Sequence, residues 1–264
     1  MQIKTILRKG VDHKVYCEDY LYSFQNDNWI IAATFDGCSD GIDSHFASSL
    51  SGKILKSIIQ QSANSLTDSL STEDVYNFII FNFLLTLEEM RLKLSLAGNE
   101  LLSTMILLVY NKQSEVGKVI AMGDGIVVID GEMTIIDQNN EPEYPITYAG
   151  KITGHFQDVI TFLETHKNQW TFRGFKDVTI STDGHQQWKH KTDINKKFQE
   201  AMDFFIYDTE MNNLEVMLAR KYNILKLKGW ENHDDLGMIR IINNEEKNTE
   251  TEAIDNGRIY SENE

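Results

Sequence analysis

Short apolar runs separated by turn-forming residues dominate the beginning of the chain. Their length, and their content of β-branched and aromatic residues, predict β-strands over residues 2–8, 20–24 and 30–36. The last run is almost continuously apolar and ends at Asp36 and Gly37. Asn26-Asp27-Asn28 favours a turn, so the second and third strands are predicted to form a hairpin. That hairpin would bring residues 18–19 close to Asp36.

Two amphipathic helices are predicted next. Apolar residues recur at every fourth position from Ile42 to Ile58, which predicts a helix over residues 42–61 with Ser39 or Asp40 as its N-cap. A second apolar stripe predicts a helix over residues 73–96.

Strand patterns then return. They predict strands over residues 104–110, 116–122, 126–129, 133–136, 177–181 and 236–242. Asp130-Gly131 predicts a tight hairpin turn. Residues 137–150 are irregular and residues 151–172 are weakly patterned, whereas helical patterns occupy residues 192–203 and 209–227.

The order of these elements predicts one α+β domain over residues 1–242. The strands meet mostly through short turns, which favours antiparallel sheets, with the long helices packed outside them. Beyond Ile242 the composition changes: residues 243–264 contain seven acids and two bases. This segment is predicted to be a disordered acidic tail.

Composition narrows the possible functions. The net charge of −15 argues against a non-specific nucleic-acid binder, because phosphate backbones attract basic surfaces. No apolar stretch reaches the roughly 18 residues needed to cross a membrane, and residues 1–5 lack the order of a signal peptide. The two cysteines form no zinc or disulfide motif. We therefore expect a cytoplasmic protein with reduced thiols and no membrane or nucleic-acid partner.

Acidic residues recur at predicted strand ends. They are Glu18-Asp19, Asp36-Gly37, Asp124 within Gly123-Asp124-Gly125, Asp183-Gly184 and Asp234-Asp235. One Asp-Gly pair usually marks only a turn, so the informative feature is the whole set. Carboxylates are hard oxygen ligands that suit Mg²⁺ or Mn²⁺. Acids that converged without a cation would repel one another and raise each other's pKa.

These segments, in this order, resemble the metal-dependent protein phosphatases of the 2C type in their bacterial form. Ser44-His45-Phe46-Ala47-Ser48, at the start of the predicted helix, adds to the resemblance, which covers residues 14–242. It implies a four-layer α-β-β-α sandwich with two central antiparallel sheets flanked by helix pairs. It also implies that residues 137–176 form a variable flap over the active site.

The resemblance further implies a site for two Mn²⁺ or Mg²⁺ ions. Its ligands would be Glu18, Asp36, the carbonyl group of Gly37, Asp183 and Asp234. Asp36 would bridge the two ions, Asp19 would lie in or just behind the ligand set, and Asp124 would help to form a third, weaker site. The expected activity is hydrolysis of phosphoserine and phosphothreonine in proteins by a metal-activated water, opposing a partner kinase.

The chain departs from the family pattern at four positions. Lys14 stands where an arginine often grips the substrate phosphate, and lysine lacks the bidentate fork of arginine. Cys38 replaces a histidine thought to protonate the leaving group, which leaves that role open. Gly237 replaces a serine or threonine, and Gln187 replaces an aspartate that some members use for a third ion.

Two alternatives stay open at this point. The departures are compatible with a catalytically weak or inactive relative that acts as a binding or regulatory module. The metal site is also compatible with a phosphoesterase acting on small molecules.

Overall fold

The computed structural model describes residues 1–67, 69–138, 142–152, 154–211 and 214–243. The strands are β1 (Gln2–Arg8), β2 (Asp19–Gln25), β3 (Trp29–Asp36), β4 (Met105–Asn111), β5 (Val116–Met122), β6 (Gly125–Ile129), β7 (Glu132–Ile136), β8 (Gln169–Arg173), β9 (Asp177–Ser181), β10 (Trp188–His190), β11 (Trp230–Asn232) and β12 (Leu236–Ile242). The helices are α1 (Ser44–Ser62), α2 (Thr72–Lys93), α3 (Pro145–Ala149), α4 (Phe156–Thr165), α5 (Phe198–Ile206) and α6 (Met217–Leu227).

Two five-stranded antiparallel sheets form the centre of the molecule. The first has the order β1-β12-β9-β6-β7 and the second β2-β3-β4-β5-β8. The predicted β2-β3 hairpin is present, and it pairs Asp19 directly with Asp36. The predicted β6-β7 hairpin is also present, with Asp130 and Gly131 both at positive φ (50° and 87°), as a primed two-residue turn requires.

Three apolar layers hold the sheets and helices together. Between the two sheets, residues such as Ile30, Ile106 and Ile239 are fully buried. A second apolar layer lies between the second sheet and the helices α1 and α2. A third lies between the first sheet and the helices α5 and α6. The four-layer α-β-β-α sandwich expected from the sequence is therefore confirmed.

Helix α1 begins later than predicted. Its N-cap is Asp43, no side chain caps it, and neither Ser39 nor Asp40 has that role. The preceding residues form a turn instead, in which the Gly41 amide donates to the Cys38 carbonyl and the Ile42 amide to the Asn99 carbonyl. The long-range bond to Asn99 withdraws Ile42 from the helix.

The segments with weak patterns are more regular than the sequence indicated. Residues 137–176 contain α3, α4 and the edge strand β8, although residues 139–141 and 153 lie outside the described part. Helix α3 and strand β8 are too short to repeat a hydrophobic period more than once or twice. Helix α4 does carry an apolar stripe at helical spacing, Phe156, Val159 and Leu163, which sequence reasoning overlooked. Helix α6 is shorter than predicted, because it starts only at Met217.

The acidic tail lies outside the described residues apart from Asn243, whose amide donates to the Lys176 carbonyl. Within the described residues, no helix has the length and apolar character needed to cross a membrane.

Candidate active site

One small cavity lies where the strand ends of the two sheets meet. Its volume is about 220 Å³. Its lining residues are Asp36, Gly37, Cys38, Ser39, Asp40, Thr104, Asp124, Pro142, Tyr144, Asp183 and Asp234. Five of the positions singled out in the sequence, Asp36, Gly37, Asp124, Asp183 and Asp234, thus line one cavity. They come from segments separated by as many as 198 residues of chain.

The β2-β3 hairpin places two carboxylates side by side, that of Asp19 buried and that of Asp36 partly exposed. Asp36 ends β3 opposite Asp19, which is 3% exposed. Burial raises the pKa of Asp36 well above its ordinary value, and the neighbouring charges of Asp19, Asp183 and Asp234 raise it further. Burial also raises the pKa of Asp19, although the Thr182 hydroxyl, which donates to its Oδ2 at 2.8 Å, opposes this rise. The other oxygen of Asp19 has no hydrogen-bond partner.

Asp183 and Asp234 are held close together by their backbones. Asp183 begins a 3₁₀ turn after β9, and Gly184 packs against the backbone carbonyl group of Asp235, next to Asp234. A Cβ atom at position 184 would lie 1.7 Å from the Asp235 carbonyl oxygen, so this approach requires glycine. Burial and the charge of Asp183 raise the pKa of Asp234 to about 6.

Asp235 anchors the loop before β2 and does not line the cavity. Only 2% of it is exposed, and its carboxylate accepts hydrogen bonds from the amides of Gly10 (2.7 Å) and Glu18. The same carboxylate lies 2.8 Å from Nδ1 of His13, while Nε2 of His13 lies 3.2 Å from Asp234. Burial acts to lower the pKa of His13, but the acids around it outweigh this effect and raise it.

Sequence reasoning missed His13. It forms no strand-end pattern with the acids, and only the fold places it between Asp234 and Asp235. The available signal was its position in the loop that leads to Glu18.

Three predicted site residues do not belong to the cavity lining: Asp19, described above, Glu18 and Lys14. The Glu18 side chain is half-buried and accepts a hydrogen bond from the Ser39 hydroxyl at 2.8 Å. The backbone carbonyl group of Glu18 accepts a hydrogen bond from the Gly37 amide. Lys14 is exposed on the loop before Glu18, and its carbonyl group accepts from the Lys9 side chain.

The remaining wall of the cavity comes from Asp124, Cys38 and Tyr144. The Asp124 carboxylate accepts from the Gln138 amide at 3.0 Å, and burial raises its pKa to about 6. Tyr144 lies at the start of α3, and its phenol contacts the Cys38 thiol. Burial and this contact raise the pKa of Tyr144. Sequence reasoning did not place Tyr144 at the site, because it lies in a segment without a pattern.

The donor set of the cavity fits a hydrated divalent cation. Its carboxylates are oxygen donors whose pKa values are raised by burial and by one another's charge, and one oxygen of Asp183 is buried without a partner. Among the described residues, no three His, Cys, Asp or Glu side chains are close enough to enclose a single ion. An open arrangement of this kind suits Mg²⁺-like ions, which keep several of their waters.

Comparisons with solved structures agree with this fold. The chain is similar to a bacterial serine phosphatase bearing a mutation, with a TM-score of 0.60, 12% identity, and 92% of this chain and 98% of that one covered. It is similar to the serine/threonine phosphatase Stp1 from Staphylococcus aureus, with a TM-score of 0.58, 13% identity and coverage of 92% and 94%. The catalytic domain of the serine threonine protein phosphatase PstP, in complex with 2 manganese ions, gives a TM-score of 0.54, 11% identity and coverage of 90% and 96%.

Sequence comparison adds the family. No curated protein matches the chain by sequence. The family model described as protein phosphatase 2C, however, matches residues 10–219, which is most of the chain. Together with the two-sheet sandwich and the acidic cavity, this match shows that the chain belongs to the protein phosphatase 2C family.

Proposed function

We propose that the protein is a Mn²⁺- or Mg²⁺-dependent phosphatase of phosphoserine and phosphothreonine in proteins. One observation carries the proposal: Asp36, Asp183 and Asp234, which are far apart in the chain, line a single small cavity. Family membership makes a phosphatase, and thus a hydrolase, the natural activity. The PstP structure in complex with 2 manganese ions supports the choice of cation.

In this proposal two cations would be held by Asp36, which they would share, by Asp183 and Asp234 on one side, and by Glu18 and the Gly37 carbonyl group on the other. Asp19 lies just behind, because the Thr182 hydroxyl and the paired strand keep its carboxylate beside Asp36. Asp124 contributes to a third, weaker site. When bound, the two cations would lower the pKa of a water shared between them and neutralise charge on the phosphoryl oxygens.

The chain itself supplies position and shape. The Asp235 carboxylate fixes the loop that carries Glu18 by accepting from the amides of Glu18 and Gly10. Tyr144 and Cys38 form the wall facing the acids, and the phenol of Tyr144 can donate to a phosphoryl oxygen. Lys14, exposed on the loop before Glu18, attracts the substrate phosphate as a point charge.

The size of the cavity favours a protein substrate. At about 220 Å³ it is smaller than the roughly 300–1,000 Å³ of pockets that enclose whole drug-sized ligands. A phosphorylated side chain fits inside while the rest of its protein stays outside. In the cell, such an enzyme would oppose a partner kinase.

Metal-dependent turnover tests the proposal. An aryl phosphate should be hydrolysed with added Mn²⁺ and not after chelation, and Asp36→Asn should abolish turnover. Asp27→Asn is the matched control, because Asp27 is exposed in the turn at the far end of the same hairpin. No Mn²⁺-dependent turnover by the wild-type protein would favour a binding module instead.

A second comparison tests the substrate class. The value of kcat/KM for phosphothreonine peptides should exceed that for small phosphoesters. Equal or reversed values would favour a small-molecule phosphoesterase.

A further inference from the structure

A second depression has a lining that begins three residues along the chain from Asp183. It has a volume of about 680 Å³. Its lining residues are Gln186, Gln187, Trp188, Lys189, Lys196, Lys197, Phe198 and Gln199. We call it the lysine groove. It lies along β10 and the loop that leads into α5.

The charge of the lysine groove is opposite to that of the protein as a whole. The chain carries a net charge of −15, yet residues 186–199 contain four lysines and a single acid. Lys191 pairs with Glu231 at 2.8 Å. Among the described residues, no carboxylate lies within ion-pair distance of the three lysines that line the groove. The fold therefore leaves these three charges available to an external anion.

The groove also has an apolar floor and edge. Trp188 is 2% exposed at its base, and Phe198 is 36% exposed at its wall. The Lys196 ammonium group lies 5.9 Å from the ring centroid of Trp230, which holds this lysine at the edge. Ile194, in the loop between the lysines, is 95% exposed. Cationic side chains around an aromatic floor suit a peptide that carries acidic side chains.

A single 3₁₀ turn joins the lining of the groove to the lining of the acidic cavity. Asp183 and Gln186 are the two ends of one 3₁₀ turn, and its rise of about 2 Å per residue separates them by only about 6 Å. The Gln187 carbonyl group accepts from the His233 amide, one residue before Asp234. An extended peptide advances about 3.3 Å per residue. It would therefore enter the groove about two or three residues from a side chain held in the cavity.

From this arrangement we infer that the lysine groove binds an acidic segment of the substrate protein, a few residues away from its phosphorylated serine or threonine. The inference rests on the proposed phosphatase function and names its substrate class. A nucleic acid fits poorly, because the rest of the surface is acidic and repels a polyanion. A single inorganic anion would leave most of the groove unfilled.

Paired phosphopeptides test the inference on the full chain. One phosphothreonine peptide carries Glu at positions three to eight from the phosphate, and its partner carries Gln at the same positions. Wild-type protein with Mn²⁺ should show a lower KM for the acidic peptide, and added NaCl should remove this preference. In Lys189→Gln/Lys196→Gln/Lys197→Gln, the KM for the acidic peptide should rise about tenfold while kcat stays unchanged, since each exposed pair contributes a few-fold.

A matched control carries the same change of net charge elsewhere. Lys53→Gln/Lys56→Gln/Lys167→Gln alters three exposed lysines away from the groove, and it should change KM by less than twofold. A tenfold rise in this control would show that only net charge matters and would overturn the inference. Far-ultraviolet circular dichroism of both triple variants should match that of the wild type, because none of the six lysines is buried.

Binding provides a test that needs no turnover. A fluorescent, unphosphorylated Glu-rich peptide should bind the full chain without metal, as measured by fluorescence anisotropy, and should lose its affinity in the groove variant. If both phosphopeptides are turned over with equal KM and the fluorescent peptide does not bind, the inference is wrong and the phosphatase function stands.

Two further results would separate the alternatives. Absence of turnover of either peptide, with binding retained, would refute the phosphatase function and leave the groove as a binding site for acidic peptides in general. Activation of the neutral peptide by the triple substitution would instead identify the acidic residues 243–264 of this chain as the occupant and overturn the inference.

Discussion

Replacing Gly184 by alanine tests how closely the two segments that carry Asp183 and Asp234 approach each other. An added Cβ would lie 1.7 Å from the Asp235 carbonyl oxygen, whereas real Cβ atoms essentially never come closer than 3.0 Å. The two backbones would therefore have to separate by at least the difference, 1.3 Å. Because the obstructing atom belongs to the main chain, no side-chain rotation can relieve the contact.

The expected effects are large on activity and moderate on stability. Misplacing a catalytic group by about 1 Å can cost about 100-fold in rate, so kcat/KM should fall by about two orders of magnitude. Overpacking typically lowers the free energy of unfolding by about 1–3 kcal/mol. For a chain of this size, that loss should lower the thermal midpoint by roughly 3–10 °C.

The assays are Mn²⁺-dependent hydrolysis of an aryl phosphate and thermal unfolding of the metal-free protein. Gly98→Ala is the matched control, because Gly98 also lies in a 3₁₀ turn and a Cβ added there meets nothing within 4 Å. A Gly184→Ala protein with wild-type stability and activity would refute the argument that this contact sets the spacing of the acids.

Three further predictions concern the cavity. Asp36→Asn should raise the thermal midpoint of the metal-free protein at pH 7.5, because burial and neighbouring acids disfavour the charge of Asp36. The same substitution should remove the increase in midpoint that Mn²⁺ causes in the wild type. Unchanged midpoints would contradict both expectations. Burial and Asp183 raise the pKa of Asp234 to about 6, so its folded state holds a proton that the unfolded state has lost. The free energy of unfolding of the metal-free wild type, compared with that of Asp234→Asn, should therefore fall by about 1–2 kcal/mol as the pH rises from about 4 to 6. Urea unfolding at pH 4 and pH 7 measures this difference, and a constant difference would contradict it. Tyr144→Phe should lower kcat/KM about tenfold if its phenol donates to the phosphoryl group, whereas Tyr148→Phe, whose hydroxyl donates to Glu143, should behave as wild type.

Local patterns predicted most of the fold. The β2-β3 hairpin followed from an apolar run, an Asn-Asp-Asn turn and an aromatic run, and the structure shows the pairing of Asp19 with Asp36. Family resemblance supplied the arrangement of layers, which the sheet order confirms. The start of α1 was predicted wrongly, because the contact between Ile42 and Asn99 joins residues far apart in sequence.

Prediction of the candidate site was less complete. Asp36, Asp183 and Asp234 were recognisable as acids at strand ends, and they line the same cavity. His13 and Tyr144 carried no comparable signal, since each belongs to a loop or a short element that only the packed sheets bring to the acids. Their roles therefore depend on contacts that no local pattern records.

The sequence by itself determined where strands end and which of those ends carry acids, because hydrophobic period and turn residues act over a few positions. The tertiary structure decided which acid of the Asp234-Asp235 pair faces the cavity. Neighbouring side chains point in different directions, so Asp234 lines the cavity while Asp235 turns to hold Gly10 and His13. That choice depends on register and packing between segments more than 200 residues apart.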